Sequence, residues 1–304
     1  MPYHTIVCVK QVPDTKNITA EAMKEDGTVN RAALPAIFNP EDFNALETAL
    51  ELRDQFGGTV TTLSMGPPKA AEVLRDCLYR GADRAILLTD RRAAASDTLA
   101  TSYILSQAIR TIGRYDFVFC GRQAIDGDTA QVGPQSAEKL GLTQVTYLEQ
   151  LLGVSDSCVR IRRNVGNGWE IVEAKLPVLV TVIATANQPR PAGARRVMRH
   201  KRAKVEAEIA ADVQAAMPQA SDEDRAREVR SRAGALKKAG LLIEQWNLDD
   251  IHADLGRCGL AGSPTRVFRV QAIVLTKQGY TAIAPTEEGV RQLIHELVVD
   301  RTLG

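Results

Sequence analysis

Residues 121–134 read Gly-Arg-Gln-Ala-Ile-Asp-Gly-Asp-Thr-Ala-Gln-Val-Gly-Pro and follow directly on the apolar run Tyr115-Asp-Phe-Val-Phe-Cys120. A buried strand ending in so small and polar a loop leaves backbone N–H groups free beside three glycines, and Thr129 is placed to open a following helix. Unsatisfied donors, the positive end of a helix dipole and no bulky Cβ together make a cradle for phosphate. No Gly-Lys-Ser/Thr follows, so this is not a P-loop, and the glycine spacing is wrong for a dinucleotide fingerprint. The residues alone leave two readings open: a nucleotide or phosphate held at a strand–helix crossing, or an ordinary tight turn. The paired carboxylates Asp126 and Asp128 are likewise either acid–base or metal groups, or they orient backbone and ribose hydroxyls.

Other chemistry is sparse. The four histidines, His4, His200, His252 and His295, share no metal-ligand spacing, and no Cys/His cluster or Gly-x-Ser-x-Gly elbow occurs. Five cysteines are scattered without a Cys-x-x-Cys pair, and Cys8, Cys77 and Cys120 sit in apolar runs, which implies buried thiols in a reducing compartment. Lys and Arg total 38 against 37 acidic residues, so bulk charge gives no attraction to nucleic acid or membrane. No apolar run approaches the roughly 20 residues of a membrane span, and a cytoplasmic protein is expected. A ligand site without acid, base and nucleophile favours a cofactor holder, in which the bound molecule does the chemistry.

The elements that must position this loop alternate. Buried strands are expected at residues 4–9, 59–64, 85–89, 116–120 and 144–148. Between them, Asn39-Pro40-Glu41-Asp42 caps and charges one helix start, with Phe43, Leu46, Ala49, Leu50 and Phe56 at helical spacing until Gly57-Gly58. Pro67-Pro68 starts a second helix that stops at Gly81, and Asp97-Thr98 opens a third. The order implies an α/β fold, a doubly wound and mostly parallel Rossmann-like sheet of the kind whose ligands sit beyond its C-terminal strand ends. Those ends carry Lys10-Gln-Val-Pro-Asp14, Met65-Gly-Pro67, residues 90–98 and the opening loop. From about 157 to 184 the pattern becomes a small antiparallel extension of strands 158–162, 169–174 and 178–183, with Gly166-Asn-Gly168 as hairpin turn. Residues 186–193 read as an irregular exposed loop. The charge-rich stretch 195–238, broken at Met217-Pro-Gln219, reads as two exposed helices, either a solvated insertion or a partner-docking element. A strand at 266–274 and a helical extension at 286–299 close the chain.

Several ordered segments together resemble the β subunit of electron-transfer flavoprotein: Val9-Lys-Gln-Val-Pro-Asp14, Asn39-Pro-x-Asp-x-x-Ala-Leu-Glu47, Met65-Gly-Pro67, Leu74-Arg-Asp-Cys77, Gly81-Ala-Asp83, Ser96-Asp-Thr-Leu-Ala-Thr101 and residues 121–134. Asn187-x-Pro-Arg190 with Met198 is similar to the family's partner-recognition loop. The loop 121–134 with Gly262-Ser-Pro-Thr265 resembles the electron-bifurcating kind, including those of nitrogen-fixing organisms. The chain departs from that pattern at Arg92-Ala-Ala-Ala95, where an aromatic and glycine are usual, and at Ala194, where a large aliphatic anchor is usual.

The resemblance implies three parts: a nucleotide- or flavin-binding domain over 1–200, a charged helical insertion over 201–250, and a C-terminal arm over 251–304 that contacts an α subunit. It implies FAD in the β site, taking hydride from NADH and dividing the electron pair. One electron goes to a low-potential acceptor such as ferredoxin or flavodoxin, the other through the α-subunit FAD to an oxidoreductase docking near residues 187–198. The alternative within the family is a structural AMP. A hydrolase or nucleotide-sensing module on the same fold is a third reading, which Lys10-Gln-Val-Pro-Asp14 disfavours because it is not a Ser-Gly-Gly type loop. Thr129 and Gln131, with N–H groups from Asp128 through Ala130 to Val132, are expected to hold phosphates. Val9, Asn39, Asp42 and Met65 are expected to line the adenosine pocket, with Gly121, Gln123, Asp126 and Gly127 completing the loop's contacts. Asp97 and Thr98 are placed to reach a ribityl chain or isoalloxazine. Arg122 would offset pyrophosphate or a reduced flavin anion, or else form a surface ion pair. Asn39 and Asp97 equally suit helix caps, and Met65 plain core. No catalytic or metal-binding residue is assigned.

Overall fold

The computed structural model describes residues 2–14, 34–265 and 282–299. Continuous apolar or β-branched runs become the parallel strands β1 (Tyr3–Cys8), β4 (Gly58–Met65), β5 (Arg84–Leu88), β6 (Phe117–Gly121) and β10 (Val178–Val182), buried on both faces. Successive side chains alternate between two cores. Val7, Phe117 and Phe119 pack with Leu46, Leu50 and Leu74, whereas Ile6, Cys8 and Val118 pack with Ile104, Ala108 and Ile109. The first face is covered by α1 (Pro40–Phe56) and α2 (Ala71–Arg80), the second by α3 (Thr98–Ile112) and α4 (Val132–Leu140).

Among the described residues the main sheet has nine strands in the order β11-β5-β4-β1-β6-β10-β7-β8-β9, where β7 is Thr143–Val154, β8 Cys158–Asn164, β9 Trp169–Lys175 and β11 Glu244–Trp246. Strands β8 and β9 form the expected hairpin, and β8 pairs antiparallel with β7. Residues 178–182, expected in that extension, instead return between β6 and β7 and pair parallel with both. Their five consecutive buried residues suit a central parallel strand and not a half-solvated antiparallel one. A second sheet pairs β2 (Gln11–Pro13) with β3 (Ala36–Phe38) just past the end of β1.

The charged stretch holds three helices where two were expected: α5 (Ala194–His200), α6 (Glu206–Ala216) and α7 (Asp222–Lys238). Nor is it all exposed. Ile209 and Val213 of α6 are buried, and the stretch ends by adding β11 to the sheet beside β5. Bidentate bonds from Arg84 to Glu244 (2.6 and 2.7 Å) and from Arg75 to Glu208 (3.0 and 2.9 Å) fasten it to β5 and to α2. The C-terminal helix α8 spans Glu287–Val299; the expected strand at 266–274 lies outside the described residues.

At the end of β6, Gly121 meets the start of α1. A Cβ there would lie 2.6 Å from the Asp42 nitrogen and 2.7 Å from the Glu41 carbonyl carbon, atoms that cannot rotate away. Gly121→Ala should therefore cost about 2 kcal/mol of stability through overpacking. Gly127→Ala, where nothing lies within 4 Å, should leave stability near wild type. Urea unfolding midpoints of the two variants measure the contrast.

Candidate functional site

Where strands β1, β4 and β6 end, the first residues of α3, the start of α4 and the loop between β6 and α4 enclose a cavity of about 420 Å³. Such crevices form because neighbouring parallel strands send their chains to opposite faces of the sheet. Every residue expected at the site lines it except Asn39, which is fully buried. Asn39 makes no side-chain cap for α1; its amide donates to the Gln123 carbonyl (2.9 Å) and accepts from the Ile125 N–H (3.1 Å). It fastens the loop from behind.

The first turn of α1 does the same with charge. Asp42 accepts the N–H of Lys10 through one carboxylate oxygen (2.8 Å) and that of Gly121 through the other (3.0 Å), joining the ends of β1 and β6. Glu41 accepts the Gln123 N–H at 3.0 Å and pairs with Arg122 at 3.0 Å. Arg122 is thus the ion pair that one sequence reading allowed, while its side chain still borders the cavity. Burial outweighs the hydrogen bonds at Asp42 and pushes its carboxyl from 3.8 up to about 7.

Thr129 does not open the next helix. It begins at Val132, with Gln131 at the cap position and no side-chain cap bond. The delay has a backbone cause. Asp128 (φ 49°) and Ala130 (φ 53°) are left-handed, a conformation that costs a non-glycine residue about 1–2 kcal/mol and interrupts a right-handed helix. The backbone N–H groups of residues 129–133 make no hydrogen bond to any described residue, so the loop presents a row of free donors at a helix start. The two aspartates are engaged: Lys10 Nζ lies 2.7 Å from both Asp126 oxygens, and Gln123 donates to Asp128 at 2.8 Å. Among the described residues, no group of three or more His, Cys, Asp or Glu is arranged to hold a metal ion.

Asp97 caps α3 by accepting the Ala100 N–H (3.0 Å) and receives the Thr265 N–H (3.0 Å) on its other oxygen. Its own N–H donates to Ser263 Oγ at 2.8 Å, which brings the segment Gly262-Ser-Pro-Thr265 against the start of α3. Burial alone would raise the Asp97 carboxyl, but these N–H donors prevail and hold it below the ordinary value. Thr98 reaches across to Gln131, hydroxyl to amide oxygen, at 2.9 Å. Arg92, in the segment that departs from the family pattern, is occupied by Asp90 (2.6 Å) and Asp249 (2.7 Å).

Sequence reasoning missed Lys10 as the partner of Asp126, although its position at a strand end was the available signal. It also missed Cys8 and Cys120, directly opposed on β1 and β6 and part of the cavity lining. The loop 186–193, expected to be irregular and exposed, is irregular but held on α1. Asn187 bonds Asn44 and Thr48 (3.0 and 2.9 Å), and Arg190 grips Glu47 at 2.9 Å and Asp54 at 2.7 Å. Met198 beyond it is 61% exposed. No helix among the described residues is long and apolar enough to cross a membrane.

Residues 26–213 match the electron transfer flavoprotein domain. The electron transfer flavoprotein subunit beta of Clostridium acetobutylicum is 39% identical over 292 residues, 96% of this chain and 96% of that one. Protein FixA of Bradyrhizobium diazoefficiens is 37% identical over 305 residues, 98% of this chain and 92% of its own. The caffeyl-CoA reductase-Etf complex subunit CarD of Acetobacterium woodii is 38% identical over 265 residues, 87% and 86% of the two chains.

The raised Asp42 carboxyl carries a pH signature in the ligand-free protein. The folded state keeps this proton between about pH 4 and 7, where the unfolded chain has released it. The contribution is therefore full below about pH 4, declines as pH rises and is gone above about 7, at most about 4 kcal/mol in all. Asp42→Asn should flatten that decline while lowering stability at acid pH, as one N–H acceptor is lost. Denaturant titrations at pH 4, 5.5 and 7 read both effects.

Proposed function

This chain belongs to the electron transfer flavoprotein family, matching its β subunits along nearly its whole length, and from that premise we propose that it is the β subunit of a bifurcating heterodimer whose cavity holds FAD. The observation that carries the reading is the row of free N–H donors on a strained loop at the start of α4, opening onto a cavity that runs back to Val9 and Met65. The lining combines the polar side chains and backbone donors of the loop with apolar residues such as Val9, Leu63 and Met65, the mixture a phosphate-linked aromatic ligand needs. The resemblance of residues 121–134 and Gly262-Ser-Pro-Thr265 to the bifurcating kind supports the flavin over AMP.

Bound there, a flavin supplies hydride acceptance from NADH and one-electron transfer onward. This chain's own residues hold and insulate it. Thr129, Gln131 and the N–H groups of residues 129–133 take the phosphates on the dipole of α4. Lys10 and Arg122 offset negative charge, each already balanced by a carboxylate so that the ligand-free cavity carries no excess cation. Thr98, bonded to Gln131, and the capped start of α3 border the same cavity.

The partner surfaces follow the same reading. Helix α8 buries none of its residues and exposes Val290, Ile294, Val298 and Val299, an apolar stripe that suits docking of the C-terminal arm, residues 251–304, on an α subunit. The pinned loop 186–193 and exposed Met198 present a rigid site for an oxidoreductase, and a low-potential carrier of the ferredoxin or flavodoxin kind takes the other electron.

Nucleotide content decides the matter. The heterdimer co-expressed with its α subunit should release two FAD and no AMP on denaturation, and stopped-flow mixing with NADH should bleach flavin absorbance. One FAD with one AMP would make the chain a structural scaffold for the α-subunit flavin. Absence of bleaching at either site would remove the bifurcation proposal.

A further inference from the structure

Strand β7 is interrupted opposite Thr181. Val145 pairs with Val180 and Leu148 with Val182, so Thr146 and Tyr147 together face one residue of β10. This is a β-bulge, a device that redirects a side chain at the margin of a site. Tyr147 takes φ 61°, a conformation that a bulky residue rarely adopts. Neighbouring strands hold it there. Its displaced N–H donates to the Thr181 hydroxyl (3.1 Å), while from β8 Arg163 donates to the carbonyl and hydroxyl of Thr146 (2.9 and 2.8 Å). Strain that so many contacts maintain calls for a purpose beyond packing, since the ring is 37% exposed.

The ring lies against Arg122, whose guanidinium carbon is 5.8 Å from its centroid. Arg122 is held at three points: its N–H on the Val182 carbonyl (2.9 Å), its Nε and Nη2 on Glu41 (3.2 and 3.0 Å), and its plane beside Tyr147. Nη1 has no hydrogen-bond partner among the described residues, and the side chain borders the cavity. An arginine with one edge spent on a carboxylate and its orientation fixed by an aromatic keeps its remaining donors for another anion.

We propose that Tyr147 is a positioning residue for the candidate site: it fixes Arg122 so that the free edge of the guanidinium receives the phosphate of a bound nucleotide. The inference rests on the nucleotide reading of the cavity and assigns a task that the phosphate loop alone does not perform. The bulge sets the position of the ring, the ring sets the guanidinium, and the guanidinium separates phosphorylated ligands from neutral nucleosides.

Calorimetric titration of the full-length chain, freed of bound nucleotide, with ADP, AMP and adenosine tests it. Tyr147→Gly, which adopts a positive φ without strain, should weaken ADP and AMP about fivefold, leave adenosine unchanged and not lower the thermal midpoint. Tyr147→Phe should retain wild-type affinity. Arg122→Gln should show the same selective loss, and adding Tyr147→Gly to it should weaken ADP no further. Wild-type ADP affinity in Tyr147→Gly, or equal weakening of ADP and adenosine, overturns the proposal while leaving the nucleotide reading intact. Failure of the wild-type chain to bind any of the three ligands overturns that reading and this inference with it.

Discussion

Two hydrogen bonds to one carboxylate set the geometry on which the rest of the site depends. Asp42, at the start of α1, joins the N–H of Lys10 just past β1 to the last N–H of β6, strands that lie side by side but send their chains to different places. The clamp is tight because the residue on β6 is Gly121, whose missing Cβ lets the helix start touch the strand end. From this fixed point Glu41 and Asn39 reach two and four residues further and hold the loop at Gln123 and Ile125. The helix start thus spends its polar groups on the strand ends and not on capping itself. What remains unsatisfied in the neighbourhood is the start of α4, where free donors gather. The site is the place that internal bonding leaves open.

Much of this was legible in the residues. Pro40 with Glu41 and Asp42 marked one helix start, and Asp97 marked another by a cap that forms as expected. The unbroken apolar runs at β1 and β6 signalled buried parallel strands, whereas the equally apolar run at β10 was assigned to the antiparallel extension because it follows an antiparallel hairpin. Local pattern reports burial; it does not report which neighbour supplies it. The start of α4 was misplaced for a different reason. Thr129 is a good cap residue, but the left-handed turns at Asp128 and Ala130 override propensity, and no composition rule anticipates left-handed non-glycine residues. Bonds spanning more than a hundred residues, such as Arg190 on Glu47 or Lys10 on Asp126, leave no trace in spacing at all.

The insertion shows how charge can be structural without being catalytic. Its α7 buries nothing and carries ion pairs along its own length, Arg225 with Asp222 and Arg232 with Glu228, pairs of small individual worth. Its purchase on the body comes instead from Ile209, Val213 and the bidentate bonds of Arg75 and Arg84. The short strand β11 then occupies the flank of β5, so that the sheet ends in three residues and not in an open row of donors and acceptors.

The strand order bears on how the chain comes off the ribosome. The sheet runs β1-β6-β10-β7, so the seam between β6 and β7 stays empty until a segment made after both arrives. The loop that follows β6 leans on that late arrival, since Arg122 donates to the carbonyl of Val182 and Thr181 packs where Gly133 lacks a side chain. During synthesis, the first hundred and twenty or so residues are able to assemble β5-β4-β1-β6 beneath α1, α2 and α3, whereas the loop after β6 waits roughly sixty residues more, several seconds at common elongation rates. The cavity is thereby among the last features the nascent protein completes, and a premature stop before β10 yields a sheet with a bare inner seam and an unfinished cavity wall.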